Sequence, residues 1–504
     1  MLSLREWLIR HDDVYIDPRI EIEPTRVTAL ESIPRRETVA RIPKSLILSH
    51  KTSTLSTVLA EELDPRVAPA IRLAVHVLYE LELGPESPWS GYFEHCPRDV
   101  VEIGLLACPR DGAAWSWLRG TEIDREMSRI KLDRELLGHI FEAVVLPVFA
   151  SLSTSRTRVC PPLTRFEHAY SLVSSRAFQI DHNYHELALV PLADAFNHLG
   201  PGENDVEFVS GLEDGQGWVC AVCGNPDECR HDLQEETEFD ECFVRQGHDE
   251  DDDDTCDLVT TDAPIAPGQE LFNSYGPLSN ARLYLEYGFK LEANEHDRAT
   301  FDPAEIVDAL TELGLATTEF VRATAEVARG GTEGDVDEQN PLIAEQSPVH
   351  EARTTPFDLY VDADAKISFS LWSLIALSVS ARRDLSFRDL LAHSATRLYL
   401  GEEDEVSVCE SEQEEEEEDG VVDRDVLAIL DKIARVVRTL CCRRIDTHYE
   451  SGLSGSDLLE RAEGVEDRFL RLTIELVAEE RLLLERVVAK WQAISGACAS
   501  AAHS

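Results

Sequence analysis

The pattern of apolar and polar positions changes along the chain from short, strand-like runs to helical periodicity. Residues 20–49 contain alternating or β-branched runs separated by three prolines, a pattern typical of strands and turns. From residue 54 to about residue 152, apolar residues recur three or four positions apart, as at Ile71, Val75 and Leu78. We therefore predict an all-helical insert between two β segments.

The middle of the chain returns to strands after one more helix. This helix is predicted to open at Thr164, because Thr164 followed by Glu167 fits a capping box, and it ends in the sequence SRAF at 175–178. The apolar run 187–192 then predicts a buried strand that leads into ADAFNH at 193–198. Further strand-like pieces are predicted at 206–209, 218–222 and 271–273.

After Pro303 the periodicity is helical almost to the end, with helices predicted at 426–449 and 458–491. We predict a first, β-containing domain over 1–295 and a helical C-terminal domain over 303–495. Three inserts are predicted within them: the helical one at about 54–152, a cysteine- and acid-rich one at about 220–257, and an acidic, disordered one at about 401–420.

Composition sets the class of protein and of partner. The chain has 504 residues, and its 43% of apolar residues exclude global disorder. It carries 97 acidic against 47 basic residues, a formal charge of −50, of which 232–257 and 402–419 hold about half. Such a chain should repel nucleic acid and anionic membranes, so a basic protein partner is expected instead. We expect no membrane helix, because no window approaches about 18 apolar residues.

The cysteine content and the N-terminal sequence predict a compartment. Twelve cysteines are too few for a disulfide scaffold in a chain of this length, so a reducing environment is the simpler interpretation. Arg5, Glu6 and Arg10 interrupt the apolar stretch that a secretory signal needs. We therefore predict a cytoplasmic or nuclear protein, or one present in both.

The sequence lacks the common enzyme signatures but contains three polar motifs. The chain has no phosphate-binding loop, no GxGxxG after a strand, no GxSxG and no HExxH, which argues against P-loop nucleotide hydrolases, Rossmann methyltransferases, α/β-hydrolases and zinc proteases. The remaining motifs are SRAF at 175–178, VPLADAFNH at 190–198 and GQELFNSYGPLSNARLYLEYGF at 268–289. Each is embedded in apolar, strand-like or helical sequence.

In this order the three motifs resemble the SET-domain protein methyltransferases of the Rubisco large-subunit lysine methyltransferase class. The order of segments matches that class from residue 20 to about 495, with strong motif identity in 175–198 and 268–289. The resemblance implies an α+β fold, in which a SET-domain β-fold with a helical insert precedes an all-α C-terminal domain of the substrate-binding type. It also implies S-adenosylmethionine-dependent methylation of lysine in a protein substrate, such as a ribosomal protein or translation factor.

Methyl transfer to an amine has its own physical requirements. The nucleophile, methyl group and sulfur must be aligned, so positioning should contribute most to catalysis. The lysine must also lose a proton in a desolvated channel, which aromatic walls would favour. Tyr275, Tyr287 and Phe289 are candidates for such walls, although aromatic residues at this spacing also pack in ordinary cores.

The resemblance assigns roles to single residues. It implies that the Tyr275 hydroxyl faces the transferring methyl group and that Asn197 and His198 hold the cofactor. It further implies that Arg176 contacts the cofactor and that Phe178 lines the lysine channel. Taken singly, a tyrosine before glycine is also typical of a turn, and Asn-His after a strand is typical of a helix cap.

The N-terminal segment departs from the pattern of this class. Relatives carry a glycine-rich turn before the first pair of strands, whereas this chain has no glycine between residues 1 and 83. A loop without glycine approaches a ligand less easily, so side chains such as Arg26 or Thr28 would have to supply contacts. Two alternatives therefore stay open: a SET-fold enzyme that methylates histidine, and a non-catalytic SET-fold binding module.

The cysteine-rich insertion is a second departure and a candidate metal site. Cys220 and Cys223 form a C-x-x-C pair, and Cys229 with His231 follows as C-x-H, which are ligand types that zinc prefers. We predict that a bound metal would be zinc, held by Cys220, Cys223, Cys229 and either His231 or Cys242. The alternative interpretation is an acidic, disordered loop with incidental thiols.

Overall fold

The computed structural model describes residues 3–11, 13–59, 62–108, 112–152, 160–181, 184–210, 255–315, 320, 323, 340–344, 359–380, 385–400 and 424–501. The chain forms two compact units. The first consists of Met1–Pro109, Leu132–Leu278 and Leu283–Phe289. The second consists of Arg110–Lys131, Ser279–Arg282 and Lys290–Ser504. The units are thus interleaved in sequence, and the domain boundary near 295–302 stays a prediction.

The first unit is built on short strands. They are β1 Tyr15–Ile16, β2 Ile20–Ile22, β3 Val27–Ala29, β4 Thr38–Pro43, β5 Leu48–Ser49, β6 Ala177–Gln179, β7 Leu187–Leu189, β8 Asn197–His198, β9 Val206–Val209, β10 Thr255–Thr260 and β11 Phe272–Asn273. Six form a sheet in the order β1-β4-β10-β9-β11-β8, three form a second sheet in the order β5-β7-β6, and β2 pairs with β3. Alternate residues of β10 are buried, the period-two pattern of a strand with one face on a core.

The order of strands in the six-stranded sheet brings distant motifs together. Strand β11 lies between β8 and β9 and runs parallel to both. Asn273 is opposite both His198 and Val206 in this register. Because residues in register point to the same face, the 190–198 and 268–289 motifs meet on one side of the sheet.

Helices make up most of the remaining described chain. They are α1 Leu4–Leu8, α2 Thr54–Val58, α3 Pro69–Leu83, α4 Ser90–Phe93, α5 Gly104–Ala107, α6 Ala113–Leu118, α7 Glu122–Ile130, α8 Arg134–Ile140, α9 Leu146–Ser151, α10 Leu163–Arg176, α11 Asn280–Arg282, α12 Pro303–Glu312, α13 Phe369–Val379, α14 Leu385–Leu400, α15 Arg424–Thr447, α16 Gly455–Glu463 and α17 Arg468–Ala501. Residues Phe141–Val145 and Leu283–Tyr287 form π-helical turns, and Gly84–Glu86 and Ala193–Ala195 form 3₁₀ turns. No described helix is both long and apolar enough to cross a membrane.

The predicted capping box at the start of α10 is wrong. The helix begins one residue earlier than expected, with Pro162 at the cap position and no side-chain hydrogen bond there. The Glu167 carboxylate instead accepts two hydrogen bonds from the Arg134 guanidinium, at 2.6 and 2.9 Å. A charged partner on α8 therefore replaces the local backbone as the partner of Glu167.

The second unit combines helices with a small sheet that the sequence pattern did not predict. Its strands are β12 Arg298–Thr300, β13 Ile343–Ala344, β14 Tyr360–Asp362 and β15 Ile367–Ser368, in the order β12-β14-β15-β13. Helices α15 and α17 pack along each other, and the rings of Trp372 and Trp491 lie 6.2 Å apart in the core. The predicted helix at 458–491 is divided into α16 and α17.

Candidate active site

A cavity of about 540 Å³ in the first unit brings the three sequence motifs together. It is lined by residues from SRAF, from the Ala193–Ala195 turn, from β9 and from the segment after β11. These are Ser175, Arg176, Ala177, Phe178, Gln179, Asp194, Asn204, Glu207, Phe208, Asn273, Ser274, Tyr275, Gly276 and Tyr287. Of the predicted site residues, Arg176, Phe178, Tyr275 and Tyr287 therefore reach the cavity.

Tyr275 lies within a row of aromatic rings. Its ring stacks between those of His198, with centroids 4.7 Å apart, and Tyr287, at 5.1 Å. Phe289 meets Tyr287 edge-on at 6.1 Å but does not line the cavity. The backbone N–H of Tyr275 donates to His198 Nδ1 at 3.0 Å, so His198 holds both the ring and the main chain of Tyr275.

The Tyr275 hydroxyl is fixed and protonated. It donates a hydrogen bond of 2.9 Å to the carbonyl oxygen of Phe196. Burial raises the pKa of the phenol to about 12, while nearby Arg176 opposes the shift and Asp194 adds to it. At neutral pH the group is therefore a hydrogen-bond donor and a polar contact rather than a base.

A buried carboxylate holds the arginine of SRAF. Asp194 Oδ2 accepts hydrogen bonds from Arg176 Nη1, at 3.0 Å, and from the Tyr92 hydroxyl, at 2.8 Å. Burial disfavours the charge on Arg176, but Asp194, Tyr92 and Cys96 together outweigh burial and raise the pKa of the guanidinium. The arginine thus remains a fixed cation at the cavity wall.

Two members of this group were missed by sequence reasoning. Asp194 is the first residue of the D-x-x-N-H pattern, so its position in the motif could have identified it. Tyr92 lies in α4, within the helical insert, and no local pattern distinguishes it from a core tyrosine.

Phenylalanine rings form another wall of the cavity. Phe178 of β6 lies against Phe208 of β9, with ring centroids 4.4 Å apart and planes inclined by 35°. Phe208 was not predicted as a site residue, because alternation along β9 puts this half-buried ring on the same face as Val206 but does not show which cavity that face lines.

Asn197 lies apart from the cavity. Its side-chain amide donates to the Thr25 carbonyl oxygen at 2.9 Å and to Glu270 Oε1 at 2.6 Å, on the exposed side of β8. His198, the next residue, points to the buried side, as alternation along a strand requires. Asn197 therefore anchors the glycine-free segment, whose Arg26 pairs with Glu23 and does not line the cavity.

Asn273 is a further buried polar group that sequence reasoning missed. The residue is only 1% exposed, and its Oδ1 accepts the Ser274 N–H at 2.8 Å. No partner for its Nδ2 exists among the described residues, although the residue lines the cavity. An asparagine inside an apolar strand is the sequence signal that could have found it.

The four predicted zinc ligands, Cys220, Cys223, Cys229 and His231, lie outside the described residues. Within the described ranges, no group of three or more His, Cys, Asp or Glu side chains could hold a metal ion. The zinc site therefore stays a prediction.

Known proteins that are similar in sequence to this chain include lysine methyltransferases. No protein-family model matches the chain. It is 37% identical to "Ribosomal lysine N-methyltransferase 3" of Saccharomyces cerevisiae over 55% of this chain and 58% of that protein. It is 24% identical to "N-lysine methyltransferase SETD6" of Rattus norvegicus over 58% of this chain and 53% of that protein. The chain thus spans somewhat more than half the length of these curated relatives.

Solved structures match nearly the whole chain. The crystal structure of the SET domain of LSMT bound to methyl-lysine and AdoHcy has a TM-score of 0.55 at 15% identity, covering 99% of this chain and 92% of that one. Rubisco LSMT bound to AdoMet has a TM-score of 0.54 at 14% identity, with the same coverage. The chain therefore has the α+β SET fold with a helical C-terminal region, and the fold that the resemblance implied is confirmed.

Proposed function

We propose that this protein is an S-adenosylmethionine-dependent protein-lysine N-methyltransferase. The observation that carries the proposal is the Tyr275 hydroxyl, which is fixed at the cavity wall by Phe196 and held by the stacked rings of His198 and Tyr287. Two further findings support it: the similar yeast and rat proteins are named lysine methyltransferases, and the similar structures hold AdoMet or AdoHcy.

The residues of the cavity fit this cofactor, which when bound supplies an activated methyl group on a cationic sulfur. Arg176 offers a fixed positive charge with a buried Nε that has no partner among the described residues, and so suits a carboxylate. Asn273 Nδ2 offers a second unused donor. The aromatic faces of Tyr275 and Tyr287 suit a cationic group. We propose that Arg176 and Asn273 hold the cofactor and that His198 positions Tyr275.

The remaining lining groups suit a lysine side chain. Glu207 places a carboxylate at the cavity and would attract the cationic amine, whereas the charge of Asp194 is balanced by Arg176. Phe178 and Tyr287 would then desolvate the stem and the nitrogen, which lowers the pKa of an amine and favours its neutral form. Since Tyr275 is protonated at neutral pH, the lysine proton would leave to solvent, and the Tyr275 hydroxyl would orient the reacting groups.

The substrate proposed is a basic protein, and a ribosomal protein is the first candidate. The name of the yeast relative supports the ribosomal assignment, and the formal charge of −50 supports a basic partner. A cytoplasmic or nuclear location, or both, remains part of this proposal.

The test incubates purified protein and tritiated S-adenosylmethionine with ribosomal proteins and, separately, with total cell extract. We expect tritium in protein that is recovered as methyl-lysine after hydrolysis. Tyr275→Phe keeps the ring stack but removes the hydroxyl, so labelling should fall at least tenfold while the circular dichroism spectrum stays unchanged.

Other results would favour the alternatives. Label recovered as methyl-histidine would replace lysine by histidine as the target. Absence of cofactor binding in calorimetry, together with retained binding of a basic protein, would support the non-catalytic module. Equal labelling by wild type and Tyr275→Phe would remove the assigned role of the hydroxyl.

A further inference from the structure

The second unit contains a cavity of its own, with a volume of about 530 Å³. This volume lies in the range typical of small-ligand sites. Its lining joins apolar side chains, such as Leu476 and Leu482, to carboxylates that include Asp297 and Glu479. Such a lining suits a ligand with an apolar stem and a charged end.

The carboxylates of this cavity differ in whether a cation already neutralises them. Glu122 and Glu480 both contact the Arg444 guanidinium, at 3.3 and 2.9 Å. Glu479 pairs with Lys290. Two further carboxylates of the lining, Glu295 and Asp364, are largely exposed and lie 3.6 Å from His296 and 3.9 Å from Lys366. The sixth carboxylate is Asp297, whose surroundings are different.

Asp297 lacks a cationic partner. Its two oxygens accept hydrogen bonds from Asn280 alone, from the backbone N–H at 2.6 Å and from Nδ2 at 2.8 Å. Among the described residues, no Lys, Arg or His nitrogen pairs with it within 4.0 Å. Burial raises its pKa to about 7, the Asn280 hydrogen bonds oppose the shift, and Glu479 adds to it. The site thus contains a carboxylate that a ligand cation would stabilise.

An unused hydroxyl lines the same cavity and is an independent sign of a ligand. Ser279 is 5% exposed, and its hydroxyl has no hydrogen-bond partner within the described part of the chain. Because no described residue uses this oxygen and the residue lines the cavity, the oxygen is available to accept from a bound donor. A metal ion is a poor fit, because no three acidic, His or Cys side chains of the described residues are grouped to hold one.

The cavity also contains arginines, which limit where a cation can bind. Arg298 lies over the Tyr360 ring at 5.9 Å, and Arg486 donates to the Ala363 carbonyl oxygen at 3.0 Å. Because Glu122, Glu479 and Glu480 are already paired with cations, a second cation is favoured near Asp297. The leucines of the lining would contact the stem behind it.

We infer that this cavity binds the cationic side chain of an arginine or lysine presented by a partner protein, with its head group between Asp297 and Ser279. The ammonium or guanidinium would donate to the carboxylate and the hydroxyl, and the alkyl stem would pack on Leu476 and Leu482. This inference does not depend on methyl transfer, because it uses no residue of the first unit.

The test is isothermal titration of the full chain with Nα-acetyl-arginine methylamide and Nα-acetyl-lysine methylamide. The matched neutral probe is Nα-acetyl-norleucine methylamide. We expect one saturable site for at least one cationic probe, and about tenfold weaker binding by Asp297→Asn, equivalent to about 1.4 kcal/mol. Ser279→Ala should also weaken binding. Glu292→Gln changes the formal charge equally at an exposed position of the same loop and should leave binding unchanged.

Three results would overturn the inference: no saturable binding of either cationic probe, equal binding of the norleucine probe, or equal affinity of Asp297→Asn and wild type. If Asp297→Asn proves unfolded by circular dichroism, Ser279→Ala decides the question, since it removes one unpaired hydroxyl. Tyr275→Phe should bind the probes as wild type does, which separates this site from the proposed methyltransferase site.

Discussion

At the scale of single residues, the cavity of the first unit contains both satisfied and unsatisfied polar groups. The hydroxyls of Tyr275 and Tyr92 each have a partner inside the fold. Asn273 Nδ2 and Arg176 Nε have none among the described residues. Leaving a buried polar group unpaired costs about 1–3 kcal/mol. The unpaired Asn273 Nδ2 and Arg176 Nε are therefore better explained by ligand binding than by packing.

Asn273→Ala should separate ligand binding from folding. We expect it to weaken binding of S-adenosylhomocysteine at least tenfold, measured by calorimetry, while the free energy of unfolding falls by about 1 kcal/mol through loss of the Ser274 hydrogen bond. Asn204→Ala is the matched control. Asn204 lines the same cavity, but its amide is used within the chain, by Val206 and Gly202. Equal loss of affinity in both variants would contradict the assignment.

Asp297 predicts a pH dependence of stability. Burial raises its pKa to about 7, from an ordinary value of 3.8, so the folded state holds the proton more tightly than the unfolded chain. The stabilising contribution of protonated Asp297 to the free energy of unfolding is complete below about pH 4 and is lost as the pH rises towards 7. The slope is at most about 1.4 kcal/mol per pH unit. Lys290, Glu479 and Asn280 are the groups that modulate the shift.

Urea unfolding between pH 4.5 and 7.5 measures this effect. Asp297→Asn cannot ionise, so the stability of wild type relative to the variant should fall as the pH rises. A difference that is independent of pH would show that Asp297 titrates normally.

At the scale of elements, helical periodicity predicted the positions of helices more accurately than it predicted their ends. The predicted 426–449 helix is found at Arg424–Thr447, because its apolar stripe faces a core over its whole length. The start of α10 was misplaced, since Glu167 binds Arg134 instead of the backbone. The strands of the second unit, two or three residues long, are too short to show alternation and depend on distant partners.

Helix caps give a prediction at this scale. Ser454 forms a real capping box with Asp457 at the start of α16, with hydrogen bonds of 3.2 and 3.0 Å. Ser454→Ala should therefore lower the free energy of unfolding by about 1 kcal/mol in chemical denaturation. Thr164→Ala, at the box that does not form, should change it by less than about 0.5 kcal/mol. The reverse order would contradict the assignment of both helix ends.

The candidate site was predictable only where its residues lie in one motif. Motif positions placed Arg176, Phe178 and Tyr275 at the cavity. They could not show which of Asn197 and His198 faces the buried side of β8, or that Tyr92 of the helical insert binds Asp194. These features depend on register and long-range packing, which spacing in sequence does not encode.

At the scale of the whole molecule, charge is the dominant feature. About half of the formal charge of −50 lies in 232–257 and 402–419, and the rest of the chain still carries about −26. Together with Glu207 at the proposed active site, this charge should draw a basic protein towards the chain.

Salt should therefore slow labelling of ribosomal proteins. We expect the initial rate to fall about threefold or more between 50 and 500 mM salt, because screening shortens the range of attraction. Replacing the acids of 402–419 by their amides should reduce the dependence of the labelling rate on salt, because it removes part of the attracting charge. A rate that stays flat over the same range would leave the acidity without a role in substrate capture.

The interleaved units also bear on how such a gene can change. Residues 110–131 belong to the second unit, where Trp117 packs in a core with Leu458 and Ile474, and Glu122 binds Arg444. A recombination event that exchanged only the sequence after residue 290 would combine this early segment with foreign partners. It would leave Glu122 with Arg129 but without Arg444, and so weaken a buried ion-pair network. The C-terminal half should therefore be inherited together with residues 110–131, as one co-evolving block rather than a transferable module.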